Sequence, residues 1–244
     1  MLRYKFRKEA VKWQLISVNP CDATDTPKAA KTKVKVLDPD EVNVLLDYTK
    51  KSKFKVMYLP LILALTCGMR RGEILGLQWD DIDFNSNTIN INNNLIYTKE
   101  NGLELVSPKT DTSVGIIAML PLTIEALKEA QKKQKENKLL FGEKYNKNNF
   151  VCTWDDGIPI RPDYATKTIK KLLKKCELPD IRFHDLRHTH ATLLLLKKVN
   201  PKVVSERLRH SDISITLNTY SHVLPQMQEE AVSKLSEIFI AENN

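Results

Sequence analysis

Apolar residues recur along this chain mostly with the three- and four-residue spacing of amphipathic helices, and one stretch alternates with the two-residue period of strands. Leu2, Phe6, Ala10 and Trp13 predict a short basic helix over Met1 to Ile16. Asn19-Pro20 stops it, and Cys21 to Lys33, rich in Thr, Ala, Lys and Pro, reads as a linker. Asp38-Pro39-Asp40-Glu41 is a helix start, with Asp as N-cap, Pro at the first helical position and acids in the first turn. Val42, Leu45 and Leu46 supply the buried stripe of that helix. Phe54 to Thr66 predicts the next helix, closed by Gly68 as a left-handed C-terminal cap. Arg70, Arg71, Gly72 and Glu73 follow at once, ahead of Ile74, Leu75 and Leu77, so Arg70 is expected at the junction of two packed helices.

From Asp83 the period changes. Thr88 to Asn92 alternates as a strand, and Leu95 to Thr98 continues an extended, Asn-rich segment. Asn101-Gly102 is a tight-turn signal before Leu103 to Val106; Ser107 to Ser113 is polar and turn-forming, and Val114 to Leu120 reads as a third strand. Helices resume at Thr123 to Lys135, with a Lys-rich outer face, and at Asp163 to Cys176, with Ile169, Leu172 and Leu173 inward. Asn200-Pro201 opens a short helix to Arg209; Ile213, Thr216, Leu217 and Tyr220 share one helical stripe, and Met227, Ala231, Leu235 and Ile238 another. The fold class expected is mainly α with a small three-stranded antiparallel β-sheet whose second hairpin carries Lys109.

Composition narrows the partner. The 244 residues carry Lys+Arg 38 against Asp+Glu 30, a net charge of +8 and a pI near 9.2. That balance favours an anionic partner, nucleic acid before membrane, because no basic amphipathic anchor stands out. Cys21, Cys67, Cys152 and Cys176 are scattered with no CxxC pair and read as reduced, mostly buried thiols of a cytoplasmic protein. The longest apolar run, Val56 to Leu65, is too short for a bilayer and is interrupted by Pro60. The first residues show no signal-peptide pattern.

Candidate chemistry concentrates between Phe183 and Val223. His184 and Arg187 stand at i, i+3, a spacing that puts both on one helical face; His210 follows a short helix, and Tyr220 lies further on. Two donor groups beside a phenol describe a site for a phosphate under nucleophilic attack. Each residue also has a plainer reading: Tyr220 as core, Arg187 paired with Asp185, His184 as a cap, Arg70 paired with Glu73, and Lys109 solvated in a polar turn. His184-Asp185-Leu186-Arg187-His188 also looks like the zinc-protease motif with Asp for Glu. That Asp is a methylene too short, and Arg187 would project beside a dication, so no metal is expected.

Taken together and in order, the motifs closely resemble the tyrosine recombinases, the phage-integrase family. Thr66-Cys67-Gly68-Met69-Arg70-Arg71-Gly72-Glu73, the hairpin Lys109, and His184-Asp185-Leu186-Arg187-His188-Thr189-His190-Ala191-Thr192 match in turn; Leu208-Arg209-His210-Ser211 and Tyr220-Ser221-His222-Val223 complete the set. The resemblance covers roughly residues 31 to 225 and departs at Arg209, where the family usually has Gly. It implies a site-specific DNA recombinase of a phage or mobile element, with Tyr220 as nucleophile and a 3′-phosphotyrosyl intermediate. Arg70, Arg187 and His210 would surround the phosphate, Lys109 act as general acid and His184 as proton shuttle. Neither metal nor cofactor is implied. The partners implied are double-stranded DNA and, on DNA, further copies of the chain forming a tetramer. A type IB topoisomerase-like enzyme and a non-catalytic DNA-binding regulator are the alternatives; the intact set argues against the regulator. Residues 1–33 look like the last helix of a truncated DNA-binding domain plus linker, and residues 34–244 like the catalytic domain. Its terminal helix, Met227 to Ile240, is expected to dock on a neighbouring protomer or fold back on its own core.

Overall fold

The structure is a computed structural model that describes residues 2–20, 22, 35–107, 115–146 and 148–220. Chain contacts divide it into Met1–Lys33 and Val34–Asn244. In the first unit, α1 (Leu2–Lys12) is shorter than the apolar spacing suggests. Gln14 takes a positive φ of 57°, and Leu15 N–H reaches back to Ala10 C=O at 2.9 Å, a Schellman-type ending that stops the helix before Ile16.

The second unit opens with α2 (Pro39–Lys51), whose capping box forms as expected. Glu41 N–H donates to the Asp38 carboxylate, and Asp38 N–H to that of Glu41, both at 2.8 Å. A 3₁₀ turn, Lys55–Met57, leads into α3 (Tyr58–Cys67), in which every residue from Leu59 to Cys67 is buried. A helix apolar all round belongs at the centre of a fold. Here α3 packs against α2, against the short α4 (Arg71–Gly76), against α5 (Pro121–Phe141) and against α7 (Asp185–Leu196). Leu61, Ile62 and Leu63 are fully buried, each stabilising the fold by ~1.5–3 kcal/mol relative to exposure.

The β region differs from expectation. The expected three-stranded antiparallel sheet is present, but with different strands from those expected, and a separate two-stranded hairpin stands beside it in the sequence. β1 (Ile82–Asp83), β2 (Thr88–Ile91) and β5 (Gly115–Ala118) form the sheet, in the order β1-β2-β5, with Ile89 opposite Ile117. β3 (Asn94–Thr98) and β4 (Gly102–Val106) form a separate hairpin, Thr98 opposite Gly102. The break falls at Asn92-Asn93. Asn92 donates its side-chain amide to the Asp81 carboxylate at 2.9 Å and Asn93 to the Gln78 side chain at 3.4 Å, so the strand turns away instead of continuing. Residues 108–114, which include Lys109, lie outside the described residues, as do Cys21 and the expected Met227 to Ile240 helix.

α6 (Pro162–Lys175) buries Ile169, Leu172 and Leu173 as the pattern requires. α8 (Pro201–Arg207) starts at Asn200, whose side chain accepts Lys202 N–H, and α9 (Ile213–Thr219) starts at Asp212, which accepts Ser214 N–H. Ala191, Leu195, Val204, Leu208 and Tyr220 form a second apolar cluster beneath α7, α8 and α9. Cys67 and Cys152 are buried and Cys176 half-buried, all three as free thiols. No described helix is long and apolar enough to cross a membrane.

The contact between α3 and α7 hinges on Gly68. It caps α3 at φ 64°, and a Cβ there would stand 2.7 Å from the His190 ring and 2.9 Å from Leu208. Gly68→Ala should therefore lower stability by about 1–3 kcal/mol from the left-handed backbone alone. Urea unfolding at neutral pH checks this, and an unchanged midpoint would mean that the cap is not needed.

Candidate active site

The site is built where the ends of α3 and α8 meet the start of α7. Arg187, in the first turn of α7, is buried at 2% exposure. Its Nη1 donates to Gly68 C=O at 2.6 Å and its Nη2 to Leu208 C=O. It does not pair with Asp185. The turn before α7 brings Arg182 to that carboxylate instead, through its backbone N–H at 2.7 Å and its guanidinium at 2.9 Å. Burial pushes the Asp185 carboxyl up, but the Arg182 bonds outweigh it and hold the group below its ordinary range. Burial and the nearby Arg70 charge lower Arg187 to about 9, which leaves it cationic at neutral pH.

Arg70 is the N-cap residue of α4 and reaches the surface. Its backbone N–H and its Nη1 both donate to Glu73, each at 2.8 Å. The structural ion pair is thus present, and it also aims Arg70. Glu73 is 5% exposed; burial raises its carboxyl, yet the Arg209 guanidinium and the Arg70 bonds hold it below its ordinary value. Arg209 donates Nη2 to the same carboxylate.

His184 is the N-cap residue of α7 but makes no side-chain cap bond. Desolvation of its inner side and the Arg187 charge lower its pKa. The His210 Nδ1 lies 2.8 Å from the Thr216 hydroxyl. Burial, then Arg187, Arg70, His188 and His184, lower His210 to about 4.

Tyr220, directly after α9, is 1% exposed, as its core reading requires. Its hydroxyl nevertheless lies 2.8 Å from the Nδ1 of His188. Burial raises the phenol pKa, and Arg187 works against that shift. Burial and His184 lower His188 to about 4, so its imidazole is neutral near pH 7 and can accept a hydrogen bond from the phenol. His188 was not singled out from the sequence. Its position directly after Arg187 was the available signal, because on α7 it follows the helix round toward α9.

Five of the six expected residues, Arg70, His184, Arg187, His210 and Tyr220, are thus brought together; Lys109 lies outside the described residues. Glu73, His188 and Arg209 join them. The rings of His184 and His188 meet edge to face at 5.0 Å. As zinc ligands they would need a third, but Asp185 is held by Arg182 and His188 Nδ1 by Tyr220. A cavity of about 330 Å³, lined in part by Lys50, Lys53, Lys55 and Trp154, is separate and includes none of these residues.

The sequence profile described as the phage integrase family matches residues 35–227. A tyrosine recombinase XerC-like protein of Caldanaerobacter subterraneus subsp. tengcongensis is 34% identical over 96% of this chain and 64% of its own length. The ICEBs1 integrase of Bacillus subtilis is 27% identical over 94% of this chain and 61% of its own. The chain therefore spans somewhat under two thirds of these relatives. Among solved structures, the Tn1549 transposon integrase bound to circular intermediate DNA superposes with a TM-score of 0.74 at 24% identity, covering 93% of this chain and 76% of that one. The XerA recombinase gives 0.63 at 19% identity, covering 91% and 71%. These likenesses establish the fold, mainly helical with small antiparallel sheets.

One pH effect follows from the site's base. His190 is 5% exposed, with Nδ1 2.8 Å from Leu65 C=O and Nε2 accepting from Arg207. Burial lowers it from 6.5 to about 4. Between those values the unfolded chain binds a proton that the folded chain refuses. The stability contributed by neutral His190 is thus complete above about pH 6.5 and lost as pH falls toward 4, up to about 3 kcal/mol. Urea midpoints at pH 7 and pH 5 should fall for the parent and fall less for His190→Gln; parallel falls would exclude this origin.

Proposed function

Because the chain belongs to the phage integrase family, we propose that it is the catalytic part of a site-specific DNA recombinase of a mobile element, cleaving and rejoining DNA through Tyr220. The observation that carries this is the Tyr220 hydroxyl, held by a neutral imidazole within the charge field of Arg187. A phenol in such a place can serve as a nucleophile toward a phosphate, and guanidiniums bind phosphate oxygens in pairs.

In this reading the Tyr220 oxygen attacks the phosphorus of the scissile phosphodiester, and the phenolic proton passes to His188 Nδ1. The phosphorus–O5′ bond breaks, leaving a 3′-phosphotyrosyl link and a 5′-hydroxyl. Lys109 would protonate the leaving oxygen, with His184 as a proton shuttle. Arg70, Arg187 and His210 would bind the non-bridging oxygens, where charge grows in the transition state. Attack by a 5′-hydroxyl from another strand reverses the step, so neither ATP nor a metal ion is needed. Four copies would assemble on double-stranded DNA in the cytoplasm, as strand exchange between two duplexes requires. Residues 1–33 would contribute the last helix of a DNA-binding domain. The named relatives include the ICEBs1 integrase, and the Tn1549 integrase is bound to DNA in its structure, which supports this partner.

A nicked suicide duplex carrying the element's own attachment site tests the reading, through a covalent protein–DNA product on a denaturing gel. Tyr220→Phe should keep the fold and DNA binding and form no adduct; a persistent adduct would place the nucleophile elsewhere. Arg70→Ala should slow adduct formation by about 10²–10³-fold at saturating DNA, with little change in affinity. Weaker binding with an unchanged cleavage rate would make Arg70 a binding residue only.

A further inference from the structure

Arg209 stands where the resembling family usually has glycine, and its backbone keeps the glycine conformation, with φ at 53°. A long side chain in that conformation is strained, and the strain has no evident return in packing. The guanidinium is not released to water either. The side chain is 5% exposed, passes against Gly115 at the start of β5, and makes its ion pair with Glu73 through Nη2 alone. Its Nε and Nη1 are buried without a hydrogen-bond partner among the described residues. Buried donors of a cation are almost always satisfied, so two orphans on one guanidinium point to an acceptor that arrives from outside.

The surrounding charge says which kind. Arg70 and Arg209 both lie close enough to Arg187 to lower its pKa, Arg70 also lowers that of Arg209, and Glu73 is the carboxylate among them. Asp185, the nearest alternative counter-charge on α7, is occupied by Arg182. Three guanidiniums around one carboxylate leave an excess positive charge in a desolvated place, and an oxyanion would complete both the charge and the hydrogen bonds. Glu73 meanwhile fixes Arg209 and Arg70 in one orientation, each from a different side of the same carboxylate.

We propose that Arg209 is a third phosphate-holding arginine of the active site, offering its unpartnered guanidinium donors to the scissile phosphate. The inference rests on the recombinase reading above and adds to it a binding residue that a glycine at this position could not supply. The opposite role is physically possible: a guanidinium clamped to Glu73 could block the place of the phosphate. The two roles give opposite signs.

The test compares the full chain with Arg209→Gly and Arg209→Lys, measuring single-turnover adduct formation on the suicide duplex and the melting temperature of each protein. Arg209→Gly removes the orphan donors and leaves Glu73 its Arg70 bonds, so it should remain folded at the assay temperature while forming adduct about 10²-fold more slowly. Arg209→Lys keeps the charge without the fork and should fall between. Adduct formation by Arg209→Gly at the parent rate or faster overturns the proposal. Should the parent form no adduct, the recombinase reading fails separately, and anion binding decides for Arg209. Inorganic pyrophosphate should then raise the melting temperature of the parent more than that of Arg209→Gly, and equal shifts, zero included, overturn the proposal.

Discussion

The structure depends on a buried cation placed between two helix ends. Taking a guanidinium out of water costs several kcal/mol unless its donors are met. Arg187 places Nη1 on Gly68 C=O and Nη2 on Leu208 C=O, the capping residues at the C-termini of α3 and α8. Helix C-termini leave carbonyls without intrahelical partners and carry partial negative charge, so each end gains a donor and the cation gains two acceptors with the right sign. The arrangement ties three elements at one point. It also explains why both helices end abruptly in left-handed residues, Gly68 and Arg209, since a continued helix would keep those carbonyls for itself.

Around that point, each further group is oriented by something other than the phosphate it is proposed to bind. Glu73 holds Arg70 by two bonds and Arg209 by a third; Thr216 lies within bonding distance of His210 Nδ1, and His188 of the Tyr220 hydroxyl. Such preorganisation matters because donors fixed in advance need no reorganisation when charge develops. Arg207 extends the frame: it donates to His190 and to the carbonyls of Thr66 and Ala118, linking α8 to α3 and to the three-stranded sheet. The neutral state of His190 is part of this frame, because a protonated ring could not accept from Arg207.

Much of this was legible in the sequence wherever the cause is local. The capping box at Asp38 and Glu41, the left-handed cap at Gly68 and the inward stripe of α6 depend on neighbours within a few residues. The order of motifs from Arg70 to Tyr220 also pointed to the candidate site, five of whose residues the structure brings together. What could not be read is non-local. Thr88 to Thr98 looks like one extended segment until Asp81 and Gln78 draw off the side chains of Asn92 and Asn93. Arg187 has an acid two residues before it, and only the turn at Arg182 shows that the acid is taken. His188 reads as one more polar position on α7 until α9 brings Tyr220 to its ring.

Tyr220 is at once a core residue and the proposed nucleophile, and the two descriptions have one cause. Its ring fills the cluster of Ala191, Leu195, Val204 and Leu208, which fixes the hydroxyl against His188. The same burial raises the phenol pKa and keeps the group protonated in the free protein. An exposed phenolate beside guanidiniums could react with any phosphodiester that diffused in. A buried phenol bonded to a neutral imidazole cannot, because it lacks both the charge and the approach. In the proposed reaction, DNA would bring its phosphate to the arginines while the Tyr220 ring gave up part of its packing. On that reading the energy for the displacement would come from binding along the duplex, away from the reacting bond, and would couple cleavage to recognition.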